Sequence, residues 1–288
     1  MNEIEELEKQ FSPSRWSKRF PAEEVIQKHV EFITKASDDA RKYIPCQLNI
    51  PYGSEDREKI DIFGTDLPKD SPIFIYIHGG YWQELSRELS SYVVKPLYKN
   101  KFKVIVVGYT LCPQVTLNQI TEQIKRAFLK CIEYAKENNS RSLSVGGHSA
   151  GAHLTISLFH SLFDSLSLSE QQLLRGLYLI SGVYDLTPLV RTYVNDALKL
   201  DDVMAKKLSP LHQTFRSNDG KLCKVSFYII VGENDSPKFQ EQSRLFYEKL
   251  KNLDYTSKLI IIKSADHFNI VERLNENEYE IIKFIVDK

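Results

Sequence analysis

The sequence predicts an α/β fold in which a mostly parallel sheet is covered by helices on both faces. Short β-prone apolar runs alternate along most of the chain with longer segments whose apolar residues recur every three or four positions. This alternation is typical of parallel strands joined by helical crossovers. The length of 288 residues suits one large domain of this class. We therefore expect a single domain spanning residues 1–288.

The composition is that of a globular protein that binds a small, weakly charged partner. Hydrophobic residues make up 42% of the chain and charged residues 26%, which is enough apolar surface to bury a core. Lys+Arg and Asp+Glu both number 38, so the zero net charge gives no reason to expect nucleic acid or an anionic membrane. No apolar run has the length of a secretory signal or a membrane span. We expect a cytoplasmic protein with a small-molecule substrate, and the sequence leaves a homodimer open.

The four cysteines give no sign of a metal or redox site. No two of them form a Cys-x-x-Cys pair, and no cluster of histidines lies near them in the sequence. We therefore expect free, reduced thiols and no bound metal. Cys112 is a poor candidate nucleophile because no base lies near it in the sequence. The cysteines are Cys46, Cys112, Cys131 and Cys223.

Residues 1–45 are predicted to form a helical N-terminal extension that packs on the main domain, because their apolar residues follow helical spacing. Cys46 to Tyr52 and Lys59 to Phe63 are β-prone and are expected to pair antiparallel. The apolar positions that define the helical pattern are Val25, Ile26, Val30 and Ile33.

Six further β-prone runs supply the parallel part of the sheet, and their continuous apolar character suits strands that are buried on both faces. Residues Val115 to Lys136 form the clearest helical pattern between them. Residues 183–222 exceed a normal crossover and hold no confident strand, so we expect a small cap insertion over the site. The runs are Ile73 to Ile77, Val104 to Val107, Leu143 to Val145, Leu177 to Ile180, Val225 to Val231 and Lys258 to Ile262.

The first chemical motif lies directly after the run that begins at Leu143. Residues 147–151 read Gly-His-Ser-Ala-Gly and match the pattern Gly-x-Ser-x-Gly. Between a strand and a helix, this pattern puts a serine on a sharp turn, and the glycines leave room for the strained backbone. Ser149 is therefore the predicted nucleophile.

Two later loops supply partners for Ser149. Ligands collect at the carboxyl ends of parallel strands, and Asp235 and His267 each follow a predicted strand. A serine hydroxyl needs an imidazole to take its proton, and a carboxylate holds that imidazole in the right tautomer. We predict that Ser149, Asp235 and His267 form a catalytic triad.

Other carboxylates compete for the role of the acid. Glu233 lies two positions before Asp235, and Asp185 also follows a strand. Asp266 precedes the proposed base and is more typical of a turn or capping residue. Asp235 is preferred because it lies on a loop just before a predicted helix.

Other histidines compete for the role of the base. His148 is adjacent to the nucleophile and cannot easily fold back onto it. His153 and His160 belong to the helix that follows the serine. His267 is therefore preferred.

Attack on a carbonyl also requires donors for the negative charge that develops on its oxygen. One preorganised N–H is worth roughly 2.7–4 kcal/mol. The N–H of Ala150 is a donor by its position after the serine. Residues 78–82, His-Gly-Gly-Tyr-Trp, follow a predicted strand, and Gly79 and Gly80 can supply further donors. His78 is expected to order this loop by hydrogen bonding.

With these motifs the sequence resembles the kynurenine formamidase (arylformamidase) family of α/β-hydrolases. The likeness extends from about residue 45 onward, and residues 78–82 discriminate, since esterases resembling hormone-sensitive lipase usually carry a third glycine at the position of Tyr81. The resemblance implies hydrolysis of N-formyl-L-kynurenine to L-kynurenine and formate, with no metal or organic cofactor. Tyr81 and Trp82 are then expected to line an aromatic pocket, with plain core packing as the alternative.

Two other functions stay open at this point. A short-chain carboxylesterase would use the same triad, and a non-catalytic binding protein of the same fold would usually lack part of it. The residues that would hold the amino-acid end of the substrate are not evident. Side chains in the expected cap with suitable chemistry, which a solvated face explains equally well, are Arg191, Tyr193 and Asn195.

Overall fold

The computed structural model describes residues 2–218 and 224–287, and its eight strands form one sheet. Their spatial order is β1-β2-β4-β3-β5-β6-β7-β8. The first two strands pair antiparallel, the second pairs antiparallel with β4, and the other six strands are mutually parallel. The predicted fold class is therefore confirmed. The strands are β1 (Cys46–Pro51), β2 (Lys59–Phe63), β3 (Ile73–Ile77), β4 (Lys103–Val107), β5 (Leu143–His148), β6 (Leu174–Ile180), β7 (Ser226–Gly232) and β8 (Ser257–Ile262).

Helices cover the sheet on both faces. In the described ranges the α-helices are α1 (Glu3–Gln10), α2 (Ala22–Tyr43), α3 (Val94–Lys99), α4 (Leu117–Glu137), α5 (Ala150–Leu162), α6 (Leu168–Leu173), α7 (Asn195–Leu198), α8 (Asp202–Leu208), α9 (Pro237–Asn252), α10 (Asn269–Glu272) and α11 (Glu280–Val286). Short 3-10 segments lie at Pro13–Trp16, Glu88–Val93, Phe163–Ser165, Thr187–Arg191 and Arg273–Asn275. None of the helices described is long and apolar enough to cross a bilayer.

The alternating side chains of β3 show why the core has two layers. Ile73, Ile75 and Ile77 lie in one cluster of buried residues, which includes α4, α5 and α9. Phe74 and Tyr76 lie in the other, which includes α2, α3 and α11. Successive residues of a strand point to opposite faces, so a run that is apolar at every position needs a core on each side.

The N-terminal extension differs from the simple helical pattern expected for residues 1–45. It contains two helices, α1 and α2, separated by a 3-10 segment and a stretch that ends at Pro21. In α2 the structure buries Val25 and Ile33 but leaves Ile26 46% and Val30 37% exposed. The buried positions on α2 therefore follow a narrower stripe than its apolar residues.

The segment expected to form a cap, residues 183–222, contains only short helices in its described part. The 3-10 segment at Thr187–Arg191, α7 and α8 lie between residues 183 and 218, while residues 219–222 lie outside the described residues.

The three cysteines in the described part are free thiols: Cys46, Cys112 and Cys131. The prediction for Cys223 lies outside the described part. Burial raises the pKa of the Cys112 thiol to about 11, which fits its expected lack of nucleophilic character.

Candidate active site

Ser149 occupies a strained turn between β5 and α5. Its backbone has φ 54° and ψ −115°, a combination that L-residues rarely adopt. The Ser149 N–H donates to the carbonyl of Ile180 at 2.8 Å, and the Ser149 carbonyl accepts from the N–H groups of Ala152 and His153 at 3.0 and 3.2 Å. These bonds hold the turn from the sheet side and from the helix side.

The two glycines of the motif are required by close backbone contacts. A Cβ placed on Gly147 would lie 2.2 Å from the carbonyl oxygen of Gly151, and one on Gly151 would lie 2.1 Å from that of Ile77. Both distances are far inside van der Waals contact. The first turn of α5 therefore packs directly on the sheet backbone, and this packing fixes where Ser149 lies.

Asp235 and His267 form a buried hydrogen-bonded pair. The distance from His267 Nδ1 to Asp235 Oδ2 is 2.9 Å, and the two residues are 5% and 2% exposed. The other carboxylate oxygen accepts from the N–H of Ser236 at 2.7 Å. Because an ionised carboxylate only accepts, Nδ1 carries the proton and Nε2 keeps a lone pair for a proton from a nucleophile.

His148 brings the serine turn and the histidine loop into contact. Its Nε2 donates to the carbonyl oxygen of His267 at 2.9 Å, and the two rings lie 4.6 Å apart. Burial, with further contributions from His267 and His29, lowers the pKa of His148 well below its usual value. His148, the residue directly before Ser149, is therefore a neutral donor that is bonded to the residue predicted as the base.

The competing carboxylates are engaged elsewhere. Asp185 accepts from the N–H of Thr187 at 2.9 Å and lies 3.2 Å from His212 Nε2. Glu233 accepts from the N–H of Ser264 at 2.9 Å. In the described part of the chain, neither carboxylate shares a hydrogen bond with His267.

The competing histidines are bonded to the segment expected to form the cap. His153 Nε2 donates to the carbonyl of Leu208 at 2.9 Å, and His160 Nε2 donates to that of Thr214 at 3.0 Å. Both therefore tie α5 to the segment that follows β6. In each ring it is Nε2 that makes this attachment.

The loop after β3 lies against the serine turn. A Cβ placed on Gly79 would lie 3.3 Å from Ser149 Cβ. The Tyr109 hydroxyl donates to the carbonyl of His78 at 3.0 Å and lies 3.3 Å from that of Gly79. In a trans peptide the N–H points away from the C=O, so the N–H groups of Gly79 and Gly80 face away from Tyr109. Both remain candidates for donors to an oxyanion.

His78 orders this loop, as its sequence context indicates. Its Nδ1 donates to the carbonyl of Gly79 at 2.9 Å, and its ring stacks on Tyr109 with centroids 4.2 Å apart. Burial lowers the pKa of His78 to about 4, so the ring is neutral near pH 7. We therefore assign this neutral, stacked imidazole the role of ordering the loop backbone and no role in acid–base catalysis.

The end of the same loop is strained and partly buried. Gly80, Tyr81 and Trp82 have φ values of 95°, 47° and 61°. The half-buried Tyr81 donates its hydroxyl to the carbonyl of Phe11 at 2.8 Å. Trp82 is 0% exposed and packs edge-on against His153 with centroids 5.0 Å apart. The structure thus buries Trp82 against His153 and leaves Tyr81 half-buried beside the loop.

The polar side chains named for the expected cap are bonded to other groups of the protein. Asn195 Oδ1 accepts from the N–H of Leu200 at 2.7 Å, closing its own turn. Arg191 pairs with Glu3 at 3.2 Å between exposed side chains. Tyr193 accepts from Ser12 Oγ at 3.2 Å. None of these three contacts involves Ser149, Asp235 or His267.

Sequence reasoning missed the part played by the segment between α1 and α2. Ser17 and Arg19 donate to Asp266, which directly precedes His267. Ser236, which directly follows Asp235, donates to the carbonyl of Gln10. These contacts join residues more than 220 positions apart, so no local pattern could have indicated them.

The strand order and the serine turn place the chain among the α/β-hydrolases. A family model described as the alpha/beta hydrolase fold matches residues 74–270. The kynurenine formamidase of Salmo salar is 35% identical over 284 residues, covering 98% of this chain and 95% of the relative. That of Danio rerio is 34% identical with the same coverage, and that of Drosophila melanogaster is 29% identical over 97% of this chain and 96% of the relative. The chain belongs to the kynurenine formamidase family.

Solved structures support the fold. A structure from Silicibacter sp. TM1040, described as a thioesterase, has a TM-score of 0.77 and 26% identity, covering 96% of this chain and 98% of that one. An esterase from the archaeon Pyrobaculum calidifontis has a TM-score of 0.70 and 16% identity, covering 92% of each chain. The second is similar in fold alone.

Proposed function

We propose that this chain is a serine hydrolase that cleaves the formamide of N-formyl-L-kynurenine to L-kynurenine and formate. Membership of the kynurenine formamidase family supports the substrate. The observation that carries the chemistry is the buried Asp235–His267 pair, held by His148 against the strained turn of Ser149. A hydroxyl, an imidazole and a carboxylate in this setting are the groups that nucleophilic acyl transfer needs.

The first half-reaction opens the formamide. Ser149 Oγ attacks the formyl carbon while His267 Nε2 takes the hydroxyl proton. Negative charge moves to the formyl oxygen, where the N–H groups of Ala150, Gly79 and Gly80 are the proposed donors. The C–N bond then breaks, the proton passes from His267 to the departing nitrogen, and L-kynurenine leaves.

The second half-reaction releases formate. Water attacks the formyl-serine ester, His267 takes its proton, and the same N–H groups stabilise the second oxyanion. Collapse returns the proton to Ser149 Oγ and frees formate. Asp235 stays ionised throughout and stabilises the imidazolium that forms twice in each cycle. The reaction uses only side chains, backbone N–H groups and water, so we propose no cofactor.

The arrangement of the pocket follows from the size of the two products. A formyl group needs almost no acyl pocket, while the aryl amine is large. Tyr81, half-buried beside Gly80, is the proposed aromatic contact for that amine. Trp82 is fully buried and is assigned to core packing. We propose that residues 183–222 form a cap within a single domain spanning 1–288.

The location and assembly are also proposals. The free thiols of Cys46, Cys112 and Cys131 suit a reducing compartment, and we propose a cytoplasmic protein. Cell fractionation tests this location. A homodimer is tested by sedimentation velocity of the purified chain.

The decisive experiment compares two substrates and two serine variants. We expect kcat/KM to be higher for N-formyl-L-kynurenine than for a short-chain aryl ester. Ser149→Ala should lose at least about 10³-fold in kcat while remaining folded by circular dichroism. Ser165→Ala, which changes an exposed serine after α5, is the matched control and should retain wild-type activity.

Each alternative function has its own outcome in that experiment. Hydrolysis of the ester with no turnover of the formamide would favour a short-chain carboxylesterase. No turnover of either substrate would favour a non-catalytic binding protein. Retained formamidase activity in Ser149→Ala would remove the nucleophile assignment.

A further inference from the structure

Arg19 joins the N-terminal segment to two carboxylates that flank His267 in the sequence. Its Nε and one terminal nitrogen donate to Asp266 at 2.8 and 3.2 Å. Its terminal nitrogens also donate to Glu272 at 2.9 and 3.2 Å. His29 Nδ1 lies 2.9 Å from Glu272 Oε1. One guanidinium therefore holds both ends of the short stretch that carries His267.

Asp266 passes this restraint to the backbone around His267. Its Oδ1 accepts from the N–H groups of Phe268 and Asn269 at 2.9 and 2.8 Å, while Oδ2 accepts from Ser17 Oγ at 2.6 Å. Burial would raise the pKa of Asp266, but the bonds from Arg19, Ser17 and the Asn269 amide outweigh it and keep the pKa below its usual value. The Asp266 carboxylate is thus ionised, and both of its oxygens accept hydrogen bonds.

The same N-terminal segment also contacts the other loops of the site. Residues 10–19, here called the brace, contact a sequence neighbour of three proposed site residues, His267, Asp235 and Gly80. Ser236, next to Asp235, donates to Gln10, and Tyr81, next to Gly80, donates to Phe11. The ring of Phe11 packs on Phe239, whose ring in turn packs on His267 with centroids 4.7 Å apart. The brace thus meets three loops from different strands.

We infer that the brace positions the catalytic loops, and that Arg19 is the residue that positions His267 through Asp266. This inference rests on the proposed function, since it gives His267 the role of the base. The side-chain bonds of Arg19 go to Asp266 and Glu272 and to none of the proposed reacting groups. Its effect is to keep the backbone at residues 266–269 in place, so that the imidazole stays in line with Asp235. Displacement of a reacting group by about 1 Å can cost about 100-fold in rate.

The test uses full-length Arg19→Ala and Arg19→Lys. We expect Arg19→Ala to lower kcat for N-formyl-L-kynurenine by about 10- to 100-fold while KM changes less than about threefold. Arg19→Lys keeps one charged donor and should recover part of the loss. Arg141→Ala is the matched control, because Arg141 pairs with Asp70 at 3.8 Å between exposed side chains and should retain wild-type kcat.

A second readout separates this inference from the proposed substrate. Labelling of Ser149 by a fluorophosphonate requires an active nucleophile but no formamide. We expect Arg19→Ala to slow labelling by the same factor as kcat, measured well below the melting temperature. If the wild type labels but does not cleave the formamide, the proposed function fails and the labelling rates still decide the role of Arg19.

A double-mutant cycle tests the route through Asp266. Asp266→Asn keeps an oxygen for the backbone N–H groups but removes the charge that Arg19 binds. The double variant should label no more slowly than the slower single variant. Wild-type labelling and turnover in Arg19→Ala would overturn the inference, and so would a loss accounted for entirely by the unfolded fraction of that variant.

Discussion

His148 Nε2 donates to the carbonyl oxygen of His267 at 2.9 Å, so the residue before the proposed nucleophile restrains the backbone of the proposed base. The bond is buried and crosses from the end of β5 to the loop after β8. Because the donor belongs to a neutral imidazole, the bond does not depend on protonation near pH 7. It couples the geometry of two loops that the chain order keeps far apart.

The first prediction concerns this bond. His148→Ala leaves the buried carbonyl of His267 without its donor, and an unsatisfied buried acceptor costs about 1–3 kcal/mol. We expect the free energy of unfolding, measured in urea, to fall by about that amount and kcat to fall about tenfold or more. His160→Ala removes an exposed histidine that also donates to a carbonyl and serves as the control. Equal effects of the two substitutions on kcat would contradict the prediction.

The second prediction distinguishes the two carboxylates of one loop. Asp235→Asn should lower kcat by about 10⁴-fold, because an amide no longer holds the imidazole in the required tautomer. Glu233→Gln keeps an acceptor for the N–H of Ser264 and should leave kcat unchanged. Steady-state kinetics of both variants checks this. A large loss in Glu233→Gln, with Asp235→Asn active, would move the acid to Glu233.

The third prediction concerns the loop at residues 78–82. Tyr109→Phe removes the hydroxyl that donates to the carbonyl of His78, which loosens the peptide planes that present the proposed oxyanion donors. We expect kcat to fall about tenfold with little change in KM, because the donors act mainly on the transition state. Tyr98→Phe, which removes a hydroxyl bonded to the exposed Asp66, is the control. An unchanged kcat in Tyr109→Phe would argue against Gly79 and Gly80 as donors.

The sheet could be predicted because its signals are local. All six predicted parallel strands exist, with bounds that differ by at most three residues, and the β1–β2 pair is antiparallel as expected. An apolar run such as Ile73–Ile77 can be recognised without knowledge of distant contacts, because an apolar residue at every position indicates a strand buried on both faces. The bounds of β5 were less clear, because Gly146 and Gly147 have poor strand propensity and are held by pairing with β6.

The site could be predicted only in part. The glycines around Ser149 carry a local steric signature, and Asp235 and His267 follow recognisable strands. The burial of Trp82 could not be read from its neighbours, because it depends on packing against His153 of another element. The contacts of the brace could not be predicted for the same reason, because they join residues far apart in the sequence. Arg19 lies in a charged, irregular stretch whose partners are set by tertiary contacts alone.

The fourth prediction concerns acid stability. Burial lowers the pKa of His78 and of His153 to about 4, whereas an unfolded histidine titrates near 6.5. The unfolded chain therefore binds more protons between pH 6.5 and 4, so this stability is complete above about 6.5 and is lost as the pH falls. We expect the free energy of unfolding to drop by about 1 kcal/mol per pH unit for each histidine in that range.

Urea unfolding of the wild type and of His153→Asn at pH 7 and pH 5 checks the fourth prediction. The variant should lose less stability than the wild type between these two pH values, whatever its stability at pH 7. Carboxylates with lowered pKa, such as Asp266 and Glu272, act only below about 4.5 and do not interfere. An equal loss in both proteins would contradict the assignment to His153.

The separation of 247 positions between Arg19 and Asp266 bears on how the molecule is made. During translation Arg19 is synthesised well before its two carboxylate partners, Asp266 and Glu272. Until β8 and residues 266–272 emerge, the guanidinium of Arg19 lacks these partners and is hydrogen-bonded to water. We expect synthesis of β8 and of residues 266–272, which completes the parallel pairing and the ion pairs together, to be the step that allows the catalytic loops to form.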